Sequence, residues 1–189
     1  QVRREQKGGG VAEDGELARS LVDLGEALLA EGRLEEALEK ASEGLAMCCR
    51  VLGKEQPLTA IAIVRVATVY YSQGKLDLAL GRYEEGLAIQ VKLHGRDHVD
   101  VANTLNSIAM VHRRRGKLPE ALAGFEEALR IYGTRVGDDH PHVAIAYHNI
   151  ARAQGPGEAL GGPQGLHGGA PHPKEDAWGH ASAGRDHAM

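Results

Sequence analysis

Asparagine and arginine recur in this chain on stretches whose apolar residues have helical spacing: Asn103, Asn106 and Arg113, then Asn149 and Arg152, with Arg65 upstream. A carboxamide offers a donor and an acceptor together, which is what an extended peptide backbone needs, and a guanidinium pairs carboxylates in bidentate fashion. That is recognition chemistry rather than bond-making chemistry. The other reactive residue types add little to it. His94 lies four residues before His98, and His140 two before His142. The equivalent positions elsewhere hold Gln56, Leu52 and Val136, so these histidines read as turn residues and no metal site is expected. Cys48 and Cys49 are adjacent, late in a helix, with no partner at ligand spacing; at most one is expected to be buried and neither to be reactive. The chain has no phosphate-cradling glycine loop on a strand, no His-Glu-x-x-His and no nucleophile elbow. No enzyme activity and no cofactor are expected. Arg113-Arg114-Arg115, in a chain of net charge −4, does not make a nucleic-acid interface.

What must position these side chains is written three times. Gly32-Arg33-Leu34-Glu35-Glu36-Ala37-Leu38 recurs as Gly74-Lys75-Leu76-Asp77-Leu78-Ala79-Leu80 and as Gly116-Lys117-Leu118-Pro119-Glu120-Ala121-Leu122, each copy 42 residues after the last. A strict period of this length indicates stacked copies of one supersecondary unit. The first helix of each unit carries apolar residues three and then four apart: Leu21, Leu24, Leu28; Ile63, Val66, Tyr70; Leu105, Ile108, His112. That spacing marks one buried face. Small residues (Gly25, Ala67, Ala109) face small residues of the second helix (Ala37, Ala79, Ala121), so two antiparallel helices can approach closely. The glycine between them sits where a helix C-terminus prefers a left-handed residue. The second helices then run from Ala37, Ala79 and Ala121, around pivots at Ala41, Tyr83 and Phe125. Each unit closes with a glycine and a helix-start signal, for which Asp97 and Asp139 are the expected N-caps, with Pro just inside the start.

Such units stack into a solenoid whose groove is lined by first-helix residues turned away from the buried face. Those are Arg19, Val22, Asp23 and Glu26; Ile61, Val64, Arg65, Thr68 and Tyr71; Asn103, Asn106, Met110, Arg113 and Arg114; Ile145, His148, Asn149 and Arg152. The residues expected to contact a bound peptide are Arg65, Thr68, Tyr71, Asn103, Asn106, Met110, Arg113, His148, Asn149 and Arg152.

Composition agrees. At 42% hydrophobic and 25% charged residues the chain can bury a core, and at 4% aromatic that core rests on Ala and Leu, which suits close-packed helices. No apolar run reaches the roughly 18–20 residues a membrane span needs, and the N-terminus has no signal-peptide pattern. Two cysteines do not make a disulfide scaffold, so a cytoplasmic location is expected.

The unit resembles the tetratricopeptide repeat, in a 42-residue form similar to that of kinesin light chains and nephrocystin-like proteins; the resemblance covers about residues 17–153 and is carried by the small-residue positions and the Gly-basic-Leu-x-x-Ala-Leu phrase. It implies an all-α, right-handed superhelical solenoid of helix-turn-helix repeats. It implies a non-catalytic adaptor or scaffold that binds short, often acidic, peptide segments of other proteins, with Asn103, Asn106, Arg113 and Asn149 matching the family's groove residues. A link to kinesin heavy chain would run through regions absent here, since no heptad segment is present. The alternative is the repeat region of a signalling regulator whose nucleotide-binding or catalytic domain lies elsewhere. No nucleic-acid or membrane partner is implied.

The expected organisation is a disordered segment at 1–15, an array at 16–153 (units 17–58, 59–100 and 101–142, and a partial unit 143–153), and a Gly/Ala/Pro-rich disordered tail at 154–189. The missing initiator Met marks the chain as an expected fragment. In the tail, Lys174-Glu175-Asp176-Ala177-Trp178 sets acids beside the only Trp. Kinesin-light-chain-like grooves accept Trp flanked by acids, so the resemblance implies a tail able to occupy its own groove at high effective concentration.

Overall fold

A computed structural model of the chain describes residues 6–155, with side chains from residue 13 onward; the tail from residue 156, with its Trp178 motif, and residues 1–5 lie outside it. The described residues form seven α-helices in antiparallel hairpins: α1 (Gln6–Ala30), α2 (Leu34–Val51), α3 (Pro57–Ser72), α4 (Leu76–His94), α5 (Val99–Arg114), α6 (Leu118–Val136) and α7 (Pro141–Gln154). α1 packs on α2, α3 on α4 and α5 on α6, while each second helix also packs on the first helix of the next unit. Neighbouring first helices touch (α1–α3, α3–α5, α5–α7), and no two second helices do among the described residues. The first-helix side is therefore the inner side of the curve. This is an all-α repeat solenoid.

The repeated phrase builds the hairpin turn. At the second turn the Gly74 N–H donates to the Tyr71 carbonyl at 3.0 Å and the Lys75 N–H to the Tyr70 carbonyl at 2.9 Å. This crossed pair satisfies two orphan carbonyls and needs a left-handed residue between them. Gly32, Gly74 and Gly116 supply it at φ 78°, 76° and 74°. The basic residue that follows has a use as well, since Lys75 Nζ lies 5.9 Å from the centre of the Tyr70 ring.

The entry to α5 and to α7 differs from expectation. Their N-caps are His98 and His140, one residue beyond Asp97 and Asp139. Each imidazole Nδ1 accepts the N–H two residues on, from Asp100 and His142, at 3.2 Å. Asp97 is released to pair with Arg130 across the hairpin at 2.5 Å, which holds its carboxyl below the usual range.

The core is a chain of clusters along the stack. Phe125, Ile131, Tyr132 and Ile150 fill the α5–α6–α7 section, and Tyr83 with Ile108 and Val111 the α3–α4–α5 section. In the first hairpin Ala18, Val22 and Cys48 pack with Ala62. Burial pushes the Cys48 thiol up, as befits a small apolar filler. Two first-helix residues depart from expectation here. Leu24, expected on the buried face, is exposed, because no helix among the described residues packs over it. Val22, expected in the groove, is buried. With Ala41 instead of an aromatic pivot, α2 comes close enough that a Cβ at Gly44 would lie 3.0 Å from the Val22 amide nitrogen. Residues 6–15, expected to be disordered, are helical as the first turns of α1. The residue at which the other units turn on a glycine is Val11 in this unit.

Candidate peptide-binding face

The inner face is made by α1, α3, α5 and α7, and its polar residues first tie these helices to one another. Arg65 of α3 pairs with Glu26 of α1 at 2.7 Å. Arg114 of α5 donates to the Tyr71 carbonyl of α3 at 2.7 Å, with its guanidinium 4.7 Å from the centre of the Tyr71 ring. Asn149 Nδ2 of α7 donates to Asn106 Oδ1 of α5 at 3.0 Å. At least one polar rung therefore joins each neighbouring pair.

Of the ten residues singled out from sequence, Asn106, Met110 and Asn149 meet directly. Asn106 Nδ2 is 4.0 Å from Met110 Sδ, a weak contact, and Met110 packs on the core beneath. The amide pair keeps one N–H₂ group (Asn106) without an oxygen partner and one carbonyl (Asn149) without a donor among the described residues. Arg113, on α5, is half-buried with its Nε shielded from solvent and unpartnered, while His148 and Arg152 stand exposed on α7. Neither Arg113 nor Arg152 forms an ion pair within the described residues. Arg65 and Tyr71 belong to the rungs.

Asn149 is buried, and Thr68 and Asn103 are half-buried with their oxygens engaged. Thr68 Oγ1 donates to the Val64 carbonyl at 2.9 Å and accepts from Tyr83 Oη at 3.0 Å. Asn103 Oδ1 accepts from Tyr132 Oη at 2.8 Å and lies 3.0 Å from His142 Nδ1. The tyrosines explain the engagement: each buried phenol needs an acceptor, and a first-helix oxygen provides it. Burial pushes both phenols up. The lesson at Thr68 was readable, because Tyr83 takes the pivot position where the first unit has Ala41.

Sequence reasoning left two apolar residues out of the ten: Ile61 on α3 and Ile145 on α7, both exposed. They share a register with Asn103, 42 residues to either side, which is the signal that identifies them. The His94, His98 and Asp100 donor atoms lie within 4.8 Å of one another. The two rings, however, are stacked at 4.4 Å with planes 23° apart, so their in-plane lone pairs run side by side. With His98 Nδ1 engaged as a cap, the trio is not a convergent ligand set.

These features define a class: stacked helical hairpins that present an inner face of short polar and cationic side chains. A tetratricopeptide repeat model matches residues 16–92, 58–133 and 100–155, together well over half of the chain. The chain belongs to the tetratricopeptide repeat family, whose arrays are protein-interaction modules. Among solved structures it is similar to the nearly identical TPR-like repeats of a candidate kinesin light chain from Podosopora anserina (24% identity, TM-score 0.67, covering 74% of this chain and 66% of that one). It is also similar to BtubC (BKLC) from P. vanneervenii (23% identity, TM-score 0.62, covering 81% and 66%). The chain thus spans just under two thirds of these relatives' length, and at this identity the likeness is one of fold. No curated protein sequence matches it. No helix among the described residues is long and apolar enough to cross a membrane.

Proposed function

We propose that the inner face binds a short, extended, acidic segment of a partner protein, as a kinesin-light-chain-like cargo adaptor or scaffold does. The observation that supports this most is the Asn106–Asn149 pair, whose unused N–H₂ and carbonyl match the acceptor and donor of one peptide unit. Arg113 and Arg152 stand on the same two helices, and no carboxylate among the described residues pairs with them. Arg113 Nε is already desolvated, so a ligand carboxylate there recovers a hydrogen bond at little further cost. Ile61 and Ile145 add apolar contact on either side. Thr68 and Asn103, consumed by tyrosines, serve the scaffold, and Arg65 and Tyr71 hold the rungs.

The test is fluorescence anisotropy of labelled acidic peptides against the chain and against Asn106→Ala with Arg113→Ala. Loss of one amide contact and one charge-assisted bond costs about 2 kcal/mol or more, roughly a thirtyfold weakening. A peptide that binds wild type and double variant equally would place the site elsewhere.

A further inference from the structure

An exposed isoleucine recurs on alternate helices of the inner face. Ile61 on α3 is 39% exposed and Ile145 on α7 is 53% exposed, while the same register on α5, between them, holds the half-buried Asn103. α3 is packed on both sides, by α1 and α2 before it and by α4 and α5 after it, and Ile61 still stands in water. This register therefore belongs to the inner face and not to the surfaces by which hairpins stack. Adding a hairpin does not cover it.

The recurrence has the period of an extended chain. Packed helix axes lie about 10 Å apart, which an extended backbone crosses in about three residues at roughly 3.3 Å each. The Asn106–Asn149 amides meet such a backbone through its N–H and C=O, so its side chains project sideways, alternately toward the two edges of the face. A side chain that falls on α5 then points opposite to those that fall on α3 and α7. Two side chains on one edge must be an even number of residues apart, and the span of about 20 Å from α3 to α7 corresponds to six. A spacing of five or seven puts one of them on the other edge.

The other edge carries charge. On α5, Asn103 lies one turn before Asn106 and Arg113 two turns after it, about 10 Å further along the helix. The side chain midway between the two isoleucine contacts crosses α5 pointing to the Arg113 edge. Arg113 Nε is shielded from solvent and unpartnered, so an acid is the side chain that suits this position. Residues 156–189 do not supply the pattern. Their only large apolar residues six apart are Leu160 and Leu166, and Pro163 stands midway.

We propose, resting on the peptide-binding reading, that the inner face selects an extended segment of a partner protein with apolar side chains at i and i+6 and an acid at i+3. Ile61 and Ile145 seat the apolar pair, and Arg113 seats the acid. The pattern is symmetric about its acid, so it fits with the ligand running in either direction. The two isoleucines set the spacing, and the arginine sets the centre.

The experiment titrates the full chain into labelled Ser-rich peptides of one composition, each with two Leu and one Glu, followed by fluorescence anisotropy. The leucines are five, six or seven residues apart, with the Glu between them. The six-residue spacing with Glu midway is expected to bind about tenfold more tightly than the other two. Moving its Glu to i+2 is expected to cost about fivefold in the wild type and nothing in Arg113→Ala. Ile61→Ser and Ile145→Ser are each expected to remove the preference for six, and both side chains are exposed, so neither variant threatens folding. Equal binding of the three spacings, or a preference for six that survives both serine variants, would overturn the proposal. Asn106→Ala with Arg113→Ala separates the two levels. If it weakens peptides that bind whatever their spacing, the peptide-binding reading stands and the spacing rule falls. If no peptide binds, or the double variant binds all of them as the wild type does, both fall.

Discussion

The first and third hairpins are built on the same phrase and fill the space between their helices differently. In the third, Phe125 is a fully buried wedge between α5 and α6, surrounded by Leu129, Ile131 and Tyr132. In the first, the pivot is Ala41, and α1 and α2 meet through Gly25, Ala37 and Gly44. A Cβ on Gly25 would lie 3.0 Å from the Ala41 amide nitrogen, and one on Gly44 would lie 3.0 Å from that of Val22. The third hairpin combines an aromatic ring with one close approach, Gly124 against Ala109, whereas in the first both glycines meet backbone. The repeat therefore prescribes the turn and the spacing of contacts, while the pivot residue sets how the two helices fill the gap.

The contrast sharpens if each hairpin is given the other's defect. The largest effect is expected for Phe125→Ala, a loss of about 3–5 kcal/mol in urea unfolding, because the cavity is enclosed on three sides by helices. A loss under about 1 kcal/mol would show that α5 and α6 close up as α1 and α2 do. Next come two matched glycines. At Gly44 the added methyl meets backbone, Val22 N at 3.0 Å and the Ala18 carbonyl at 3.2 Å, so a helix must move. The overpacking cost of about 1–3 kcal/mol outweighs the helix-propensity gain of up to about 1 kcal/mol, and Gly44→Ala should destabilise. At Gly86 the one tight neighbour is the Val64 methyl, at 2.8 Å, with the nearest backbone atom at 3.6 Å. Gly86→Ala should be near neutral, and equal losses at both sites would remove the distinction between the hairpins.

The smallest effect depends on pH. His112 fills the register of Leu28 and Tyr70 inside the third hairpin, with Nδ1 buried and unpartnered. Burial pushes its imidazole below the ordinary value, with Lys117 and Arg115 adding to the shift and Glu120 opposing it. As pH falls through about 6.5 the unfolded chain takes up the proton first, so it binds more protons than the folded chain and stability drops. His112→Leu should reduce the difference between urea midpoints at about pH 7.5 and about pH 5.5. An unchanged difference would mean that other groups carry the acid sensitivity.

The turns and helix pairs were legible because they depend on local chemistry repeated at a fixed interval: Gly32, Gly74 and Gly116 each close the same two hydrogen bonds. The inner face was legible only in part. Asn106 and Asn149 were found by register, but Thr68 and Asn103 share that face and point away from it. Their direction is decided by Tyr83 and Tyr132 on another helix, and helical periodicity does not encode a partner's need for an acceptor. Val22 was misplaced because Ala41 and Gly44 let α2 close over it, and Leu24 for a different reason. Position within a repeat fixes burial only where a neighbouring helix covers it, and no described helix precedes α1. The N-caps moved by one residue because His, an uncommon cap, competes with Asp where its Nδ1 reaches the N–H two residues on.

The arrangement of contacts among the helices also has a mechanical consequence. First helices touch their neighbours and second helices do not, so the stack resembles a strip fastened along one edge. Its rungs, Glu26–Arg65, Tyr71–Arg114 and Asn106–Asn149, lie on the fastened edge. Pulling the ends apart strains those rungs at once, while coiling more tightly only fans out helices that share no contact. Such a strip is stiff against straightening and compliant toward closing around whatever lies inside its curve.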